Sequence, residues 1–232
     1  MGPFRSLPAI GLLLADARLP TGGHAHSAGA EQAVEDGIVA DLAGLASFLA
    51  GRLGSSVILE AHAAALACHL ERAGQLGSVV VELEDALDAR TASPAARAIR
   101  RRQGEQYRRA ATAVLDRRSL AVLDRCRPPG PPLPIVIGVA AAAAGLWPSD
   151  AATIVAYSSL TASATAALRL LGLDPFAVSS TLAELAPDLD RIAAEAAAGV
   201  GGGIAGLPAP TAPVLDFLFE EHSRRKDRLF AS

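Results

Sequence analysis

Two closely spaced histidines, His24 and His26, come nearest to a metal-binding pattern in this 232-residue sequence. Their imidazoles could chelate a divalent cation, but a protein metal site usually has three or four protein ligands, and no third candidate is close in sequence. His62 and His69 would lie about 10.5 Å apart along a helix axis, too far to share one ion comfortably. The spacing therefore favours ordinary turn histidines at positions 24 and 26, with direct metal binding as the alternative.

Other patterns that often signal catalysis are present only in part. The run from Gly201 to Gly206 fits GxGxxG, but an alanine-rich helix precedes it and proline follows, so a phosphate would not meet the start of a helix. Cys68 and Cys126 are too few for a disulfide framework and lack the CxxC spacing of zinc and redox sites. We expect two buried thiols and no catalytic residue, which favours a helical scaffold or adaptor over an enzyme.

The elements that would hold such residues are predicted to be helices. Hydrophobic residues make up 51% of the chain and aromatic residues 4%, and alanine is abundant, which favours helices over β-sandwiches or barrels. The formal net charge of −3 provides no basic excess to attract nucleic acid. We therefore expect an all-α, single-domain bundle of roughly ten helices with a flexible C-terminal tail and no nucleic-acid partner.

The apolar segments lack the pattern of membrane spans. Residues 133–146 are too few to cross a bilayer, and residues 151–173 are interrupted by serine, threonine and Arg169. An apolar run near the N-terminus imitates a signal peptide, but Pro8 and Gly11 interrupt it. We expect a cytoplasmic protein without membrane association, in which these segments are buried helices.

Hydrophobic periodicity and turn residues place the helices along the chain. The predicted helices are 7–17, a second helix capped by Ser27 and ended by Gly37, 42–53, 56–73, 79–89, one starting at Ser93-Pro94, 135–146, 149–171, and 176–198 with an interruption at Pro187. The proline-rich run 127–134 predicts a stiff connector rather than a domain boundary. The acidic helix 79–89 and the arginine-rich helix after it are predicted to pair with each other.

The C-terminal region differs in composition from the rest of the chain. Residues 1–198 are predicted to form the helical core domain, 199–213 a linker of glycine, proline and alanine, and 214–232 a docking segment. A tail that carries Leu229 and Phe230 after a flexible linker is poorly placed to pack on its own domain. We therefore expect this tail to dock on another protein.

Four segments, in order along the chain, carry a more specific signal. Residues 19–37, LPTGGHAHSAGAEQAVEDG, closely resemble the N-terminal signature of the urease accessory protein UreF family, in which a Pro-x-Gly turn leads to an aromatic residue, a His-Ser pair and Gly-Leu-Glu. The other matches are Arg97 with Gln103-Gly104, the stretch from Pro134 and Gly138 through Tyr157-Ser158 to Leu168-Arg169-Leu170, and the ending RLFAS at 228–232. The chain departs from the family pattern at His24, Ala30, Ser159 and the loop 172–175.

The resemblance implies an all-α protein that assists nickel insertion into urease. Proteins of this family form dimers, bind the scaffold protein UreD, also called UreH, and recruit the GTPase UreG before the complex docks on apo-urease. The implied role is a non-catalytic adaptor without a tightly bound cofactor, with nickel handled by the complex. Two alternatives stay open: a nickel chaperone that uses His24 and His26, and a regulator of the partner GTPase that acts through the arginine-rich helix.

The resemblance also assigns partner-binding roles in the N-terminal signature. Pro20, Gly22 and Gly23 set the turn that aims the first helix. Ser27 and Glu31 cap or polarise the start of the second helix and face the GTPase. The alternative is that all five residues only shape the fold.

The remaining partner-binding candidates lie in the second half of the chain. Tyr157 belongs to the matched Tyr-Ser pair, and Arg169 is expected to pair with a carboxylate or to point at an interface, because a lone buried charge is costly. Arg228 begins the matched C-terminus. Leu229 and Phe230 are expected to fill a groove on the scaffold protein, as apolar anchors do at the centre of interfaces.

Overall fold

The computed structural model describes residues 7–21 and 26–230. Within these residues the regular structure is entirely helical, which confirms the predicted all-α class. The α-helices are α1 (Ala9–Ala15), α2 (Ala30–Glu35), α3 (Leu42–Leu53), α4 (Ser56–Arg72), α5 (Leu76–Ala89), α6 (Pro94–Thr112), α7 (Leu133–Ala143), α8 (Pro148–Leu171), α9 (Pro175–Glu184), α10 (Ala186–Ala198) and α11 (Pro213–Arg224). Short 3-10 segments cover Arg117–Arg125, Gly199–Gly202 and Ile204–Gly206.

Several helices begin at residues whose side chains cap them, and one of these residues, Ser93, was predicted from the sequence. The side chain of Asp41 accepts a hydrogen bond from the amide of Gly44 at 2.8 Å, and α3 has the predicted bounds. The hydroxyl of Ser93 likewise accepts from the amide of Ala96 at 3.0 Å at the start of α6. The predicted interruption near Pro187 is present, because α10 begins at Ala186 and the proline occupies its first turn.

The core is built around α4, which packs against α7, α8 and α10. Its inward positions are largely alanine, and Gly138 of α7 lies directly against its backbone. A Cβ atom on Gly138 would come within 2.5 Å of the Ala64 carbonyl oxygen and 2.7 Å of the Ala67 Cβ. Small residues therefore allow these helices to approach closely.

The proline-rich connector packs onto the first half of the chain. Arg101 of α6 is buried and donates hydrogen bonds to Glu84 at 2.7 Å, to Asp88 at 2.9 Å and to the carbonyl of Gly130 at 3.0 Å. Glu84 is fully buried on α5 and also accepts from the amide of Arg127 at 3.1 Å. The predicted pairing of the acidic and arginine-rich helices is therefore confirmed. The connector forms hydrogen bonds with both members of this ion pair.

Residues 199–213 make contacts with the rest of the chain. They include two 3-10 segments, and the buried side chain of Leu207 belongs to the main core. The carbonyl of Leu207 accepts a hydrogen bond from Nε of Arg90 at 3.2 Å. These contacts position the start of α11 at Pro213.

α8 is long and apolar enough to cross a membrane by length and composition alone. It packs against helices on several sides, among them α2, α3, α4, α7 and α10, and 44% of its most apolar stretch is buried within the protein. This packing agrees with the predicted role of residues 149–171 as a buried helix.

Candidate functional site

An arginine from α3 holds the turn that precedes α2. Ala28 and Gly29 both adopt the left-handed backbone region, with φ of 51° and 88°, which is unusual for alanine. The buried side chain of Arg52 donates through Nη1 to the Ala28 carbonyl at 2.5 Å and through Nη2 to the Ser159 hydroxyl at 2.6 Å. Arg52 thus ties this turn to both α3 and α8.

Ser27 is not the cap of α2 that the sequence predicted. The residue before α2 is Gly29, which has no side chain with which to cap the helix. The Ser27 side chain is fully buried, and its carbonyl oxygen accepts from the amide of Ala30 at 3.1 Å. The prediction was wrong because a two-residue left-handed turn separates Ser27 from the helix.

Glu31, in the first turn of α2, binds the C-terminal tail. Its side chain is only 2% exposed. The carboxylate accepts hydrogen bonds from Nε2 of His222 at 2.7 Å and from the amides of Leu229 at 2.7 Å and Phe230 at 3.1 Å. One carboxylate therefore joins α2, α11 and the tail, and we call these four residues the tail latch.

The charge of Glu31 is central to the tail latch. Burial by itself raises the pKa of Glu31, but the hydrogen bonds from His222 and from the two tail amides outweigh it, so the pKa lies below its usual value. The carboxylate is therefore ionised at neutral pH. Nδ1 of His222 is buried without a hydrogen-bond partner among the described atoms, and Nε2 is the ring nitrogen that donates to Glu31.

Phe230 packs against the helices of its own chain. This corrects the expectation that the tail does not pack on its own domain. The ring is 7% exposed and contacts Ala30 of α2 and Ala166 of α8. Leu229, in contrast, is 81% exposed. The prediction failed for Phe230 because the acceptor that fixes the tail, Glu31, lies nearly 200 positions earlier in the chain.

Arg169 lies over an aromatic ring and not, among the described residues, against a carboxylate, which was the first of its two expected placements. The second, at an interface with a partner, stays a prediction. The guanidinium carbon of Arg169 is 5.5 Å from the centroid of the Phe230 ring, within the range of a cation–π contact. The residue is exposed, so it is not the lone buried charge that its apolar surroundings in sequence suggested.

The other predicted site residues divide between the surface and the undescribed part of the chain. Pro20 and Arg228 are exposed, and Tyr157 of α8 is 46% exposed. Gly22, Gly23 and His24 lie outside the described residues, so the turn and the histidine ligand predicted there stay predictions. The structure brings Glu31, Arg169 and the tail together.

His26 and Cys68 are buried, whereas Cys126 is half-buried and not buried as predicted. His26 is buried, and its Nε2 lies 3.4 Å from Oε1 of Gln106. Across residues 7–21 and 26–230, no group of three or more histidine, cysteine or acidic side chains is arranged to hold a metal ion. Burial raises the pKa of Cys68 and of Cys126 to about 12, so both thiols are protonated at neutral pH.

α11 is fixed to the start of α6 and leaves apolar side chains exposed. Glu220 accepts hydrogen bonds from the Ser93 hydroxyl at 2.5 Å and from the amide of Ala95 at 2.9 Å. Val214 and Phe217, one helical turn apart, are 58% and 57% exposed. We call Val214, Phe217 and Leu229 the exposed C-terminal residues.

Two residues of this site, His222 and Arg52, were not singled out from the sequence. His222 lies in the segment 214–232, which was predicted only to dock on another protein, and Arg52 stands near the end of an otherwise apolar helix. A polar residue on the apolar face of a helix is the one signal that could have pointed to either. It gives no indication of the distant partner.

Comparison with known proteins supports one family. The family model UreF matches residues 39–186. The chain is 43% identical over 222 residues to the urease accessory protein UreF of Mycolicibacterium vanbaalenii, an alignment that covers 95% of this chain and 97% of the relative. Proteins of the same name from Mycobacterium marinum and Mycobacterium tuberculosis are each 40% identical, over 225 and 224 residues, with 97% of this chain and 98% of each relative covered.

Proposed function

Because the chain belongs to the UreF family of urease accessory proteins, we propose that it is a non-catalytic adaptor in the assembly of the urease metallocentre. In this proposal it binds the scaffold protein UreD, also called UreH, and recruits the GTPase UreG. The complex then docks on apo-urease and inserts nickel, which is cargo rather than a resident cofactor. The adaptor works in the cytoplasm as a homodimer.

The observation that carries the proposal is the set of exposed C-terminal residues. Large apolar side chains this exposed add little to the isolated fold, and apolar patches often mark protein–protein contacts. The tail latch fixes the backbone of Leu229, which lowers the entropy cost of presenting its side chain to a partner. Leu229 is therefore the proposed anchor in the scaffold groove, and Phe230 is a positioning residue.

The other candidate residues contribute in two ways. Pro20, Tyr157, Arg169 and Arg228 are on the surface and available for direct contacts with partners. Ser27 and Glu31 are buried in this chain, so their proposed contribution is to shape the adjoining surface.

The burial of His26 favours the adaptor role over the nickel-chaperone alternative. A nickel chaperone acting through His26 would need to expose a side chain that is buried here. A GTPase regulator acting through α6 would need a projecting arginine. Arg101 is held by Glu84 and Asp88, but Arg102 and Arg109 are exposed, so this alternative stays open. Nickel calorimetry and UreG turnover with and without the chain test the two alternatives.

The test is co-expression of the chain with UreD and UreG, followed by affinity capture and light scattering of the purified complex. We expect Leu229→Asp to lose the scaffold while the isolated variant keeps its helical content. Phe176→Asp is the matched control, because Phe176 is 86% exposed but lies on α9. A complex that tolerates Leu229→Asp as well as the control contradicts the proposed anchor, and failure of the unmodified chain to form any complex contradicts the adaptor role.

A further inference from the structure

A cavity of about 210 Å³ is lined by buried arginines from two helices. Arg52 of α3 is 3% exposed and Arg100 of α6 is 8% exposed. Their hydrogen bonds go to neutral oxygens: the Ala28 carbonyl and the Ser159 hydroxyl for Arg52, and the Thr91 hydroxyl at 2.8 Å for Arg100. A buried guanidinium is normally neutralised by a carboxylate in direct contact.

Most of the donors on these two arginines have no acceptor among residues 7–21 and 26–230. Each guanidinium carries five N–H groups, and the three hydrogen bonds above are those that the described residues provide. Nε of Arg52 is buried without a partner, and so is the hydroxyl of Ser56, which lines the same cavity. Unsatisfied buried donors are rare in native proteins and call for a ligand or solvent.

The acidic residues around the cavity only partly compensate this charge. Asp16 is bound to Arg18, and Asp216 accepts from the amide of Ser93 at 3.1 Å. Glu60 attracts both buried arginines without forming an ion pair with either. Arg90, a third arginine at the cavity, donates to the carbonyls of Ala86 and Leu207.

The direction of the arginine pKa values agrees with incomplete compensation. Burial lowers the pKa of Arg52 and of Arg100, and the attraction of Glu60 offsets it only in part. Both arginines line the cavity together with Glu60. The cavity reaches solvent, because Ala17 and Thr165 line it and are exposed.

We propose that this cavity binds a small oxyanion, a carboxylate or a phosphate, through Arg100, the unpartnered Nε–H of Arg52 and the hydroxyl of Ser56. Guanidinium groups bind both kinds of oxyanion through charge-assisted hydrogen bonds. The remaining wall is apolar, with Leu59, Ile99 and Val155, so the site suits a ligand with a single charged group. This inference does not rest on the proposed role in urease maturation.

The full chain is titrated calorimetrically with sodium acetate, sodium phosphate and sodium chloride at matched ionic strength. Its melting temperature is measured in the same three salts. We expect saturable binding and stabilisation with acetate or phosphate, and the stronger of the two identifies the oxyanion class. Equal effects of all three salts would show general screening only and would overturn the proposal.

Two variants locate the site, and a third is the matched control. Ser56→Ala and Arg100→Gln should weaken the binding of the stronger ligand about tenfold or more. Ser56→Ala is the more informative, because the Ser56 hydroxyl makes no hydrogen bond whose loss could unfold the chain. The control is Ser163→Ala on α8, since that hydroxyl is also buried and unpartnered but does not line the cavity. Unchanged binding by Ser56→Ala, or an equal loss in Ser163→Ala, overturns the assignment.

Discussion

At the scale of single residues, Glu31 holds the C-terminal tail in place against α2. It stands in the first turn of a short helix, yet all three donors to its carboxylate come from the last nine described residues, 222–230. Hydrogen bonds to a buried charged acceptor are stronger than those to a neutral one. The position of the tail therefore depends on the ionisation of one side chain.

Replacing Glu31 by Gln is expected to loosen the tail. The variant keeps the shape of the side chain but removes the charge and places an NH₂ group among donors, so local opening becomes easier by about 1.5–3 kcal/mol. Hydrogen exchange at the amides of Leu229 and Phe230 measures this change. The expected result is faster exchange at those two amides and little change in α4.

The same carboxylate predicts how the tail responds to pH. Its pKa is lower in the folded chain than its ordinary value of 4.5, so its stabilising contribution is complete above that value and is lost as the pH falls through the lowered pKa. Protection of the Leu229 and Phe230 amides should therefore decline on acidification in the natural chain. Glu31→Gln should lack this component of the decline, and identical pH profiles for both proteins would contradict the assignment.

Phe230 and Leu229 form a matched pair for testing the role of the tail in folding. Phe230→Ala should lower the melting temperature of the isolated chain. The loss of unfolding free energy should be smaller than the about 3–5 kcal/mol typical of a fully buried phenylalanine, because a terminal segment can detach. Leu229→Ala should leave the melting temperature unchanged, since that side chain is 81% exposed. Equal melting temperatures for the two variants would show that Phe230 adds nothing to the folded core.

At the scale of helices, replacing either of two glycines by alanine should change the stability of the fold, in opposite directions at the two positions. Gly138→Ala places a methyl group against the backbone of α4 and should destabilise the fold by about 1–3 kcal/mol. Gly51→Ala lies on an open face of α3, with no other atom within 4 Å of the added carbon, and should stabilise it by about 0.5–1 kcal/mol. Chemical denaturation of both variants checks the sign, and destabilisation by Gly51→Ala would contradict the packing account.

The sequence predicted helices well where local signals determine them. The bounds of α3, the cap of α6 and the break near Pro187 all follow from residues within a few positions of each boundary. It did not predict contacts that depend on distant partners. The hydrogen bond from Arg52 to Ser159 spans 107 positions, and that from the Leu229 amide to Glu31 spans 198. The residues next to Arg52 and to Leu229 in sequence give no indication of these partners. The adaptor hypothesis came from ordered family motifs rather than from such contacts.

At the scale of the whole molecule, the buried ion pair between α5 and α6 stabilises the attachment of the proline-rich connector to the first half of the chain. Arg101 connects Glu84 and Asp88 with the connector that leads to the second half of the chain. Removing one partner of a buried pair leaves the other charge uncompensated, at a cost of about 3–5 kcal/mol. We therefore expect Arg101→Met to lower the stability of both halves together.

The measurement is thermal unfolding of Arg101→Met followed by circular dichroism and by exchange of amides in α4 and α8. One transition at a lower temperature, with amides of both helices opening together, is expected, because α4 packs against helices from both sides of the connector. The double variant Glu84→Gln with Arg101→Met should recover part of the loss, since it removes the uncompensated carboxylate as well. Two separate transitions would instead mean that the proline-rich connector divides the chain into independently folding parts.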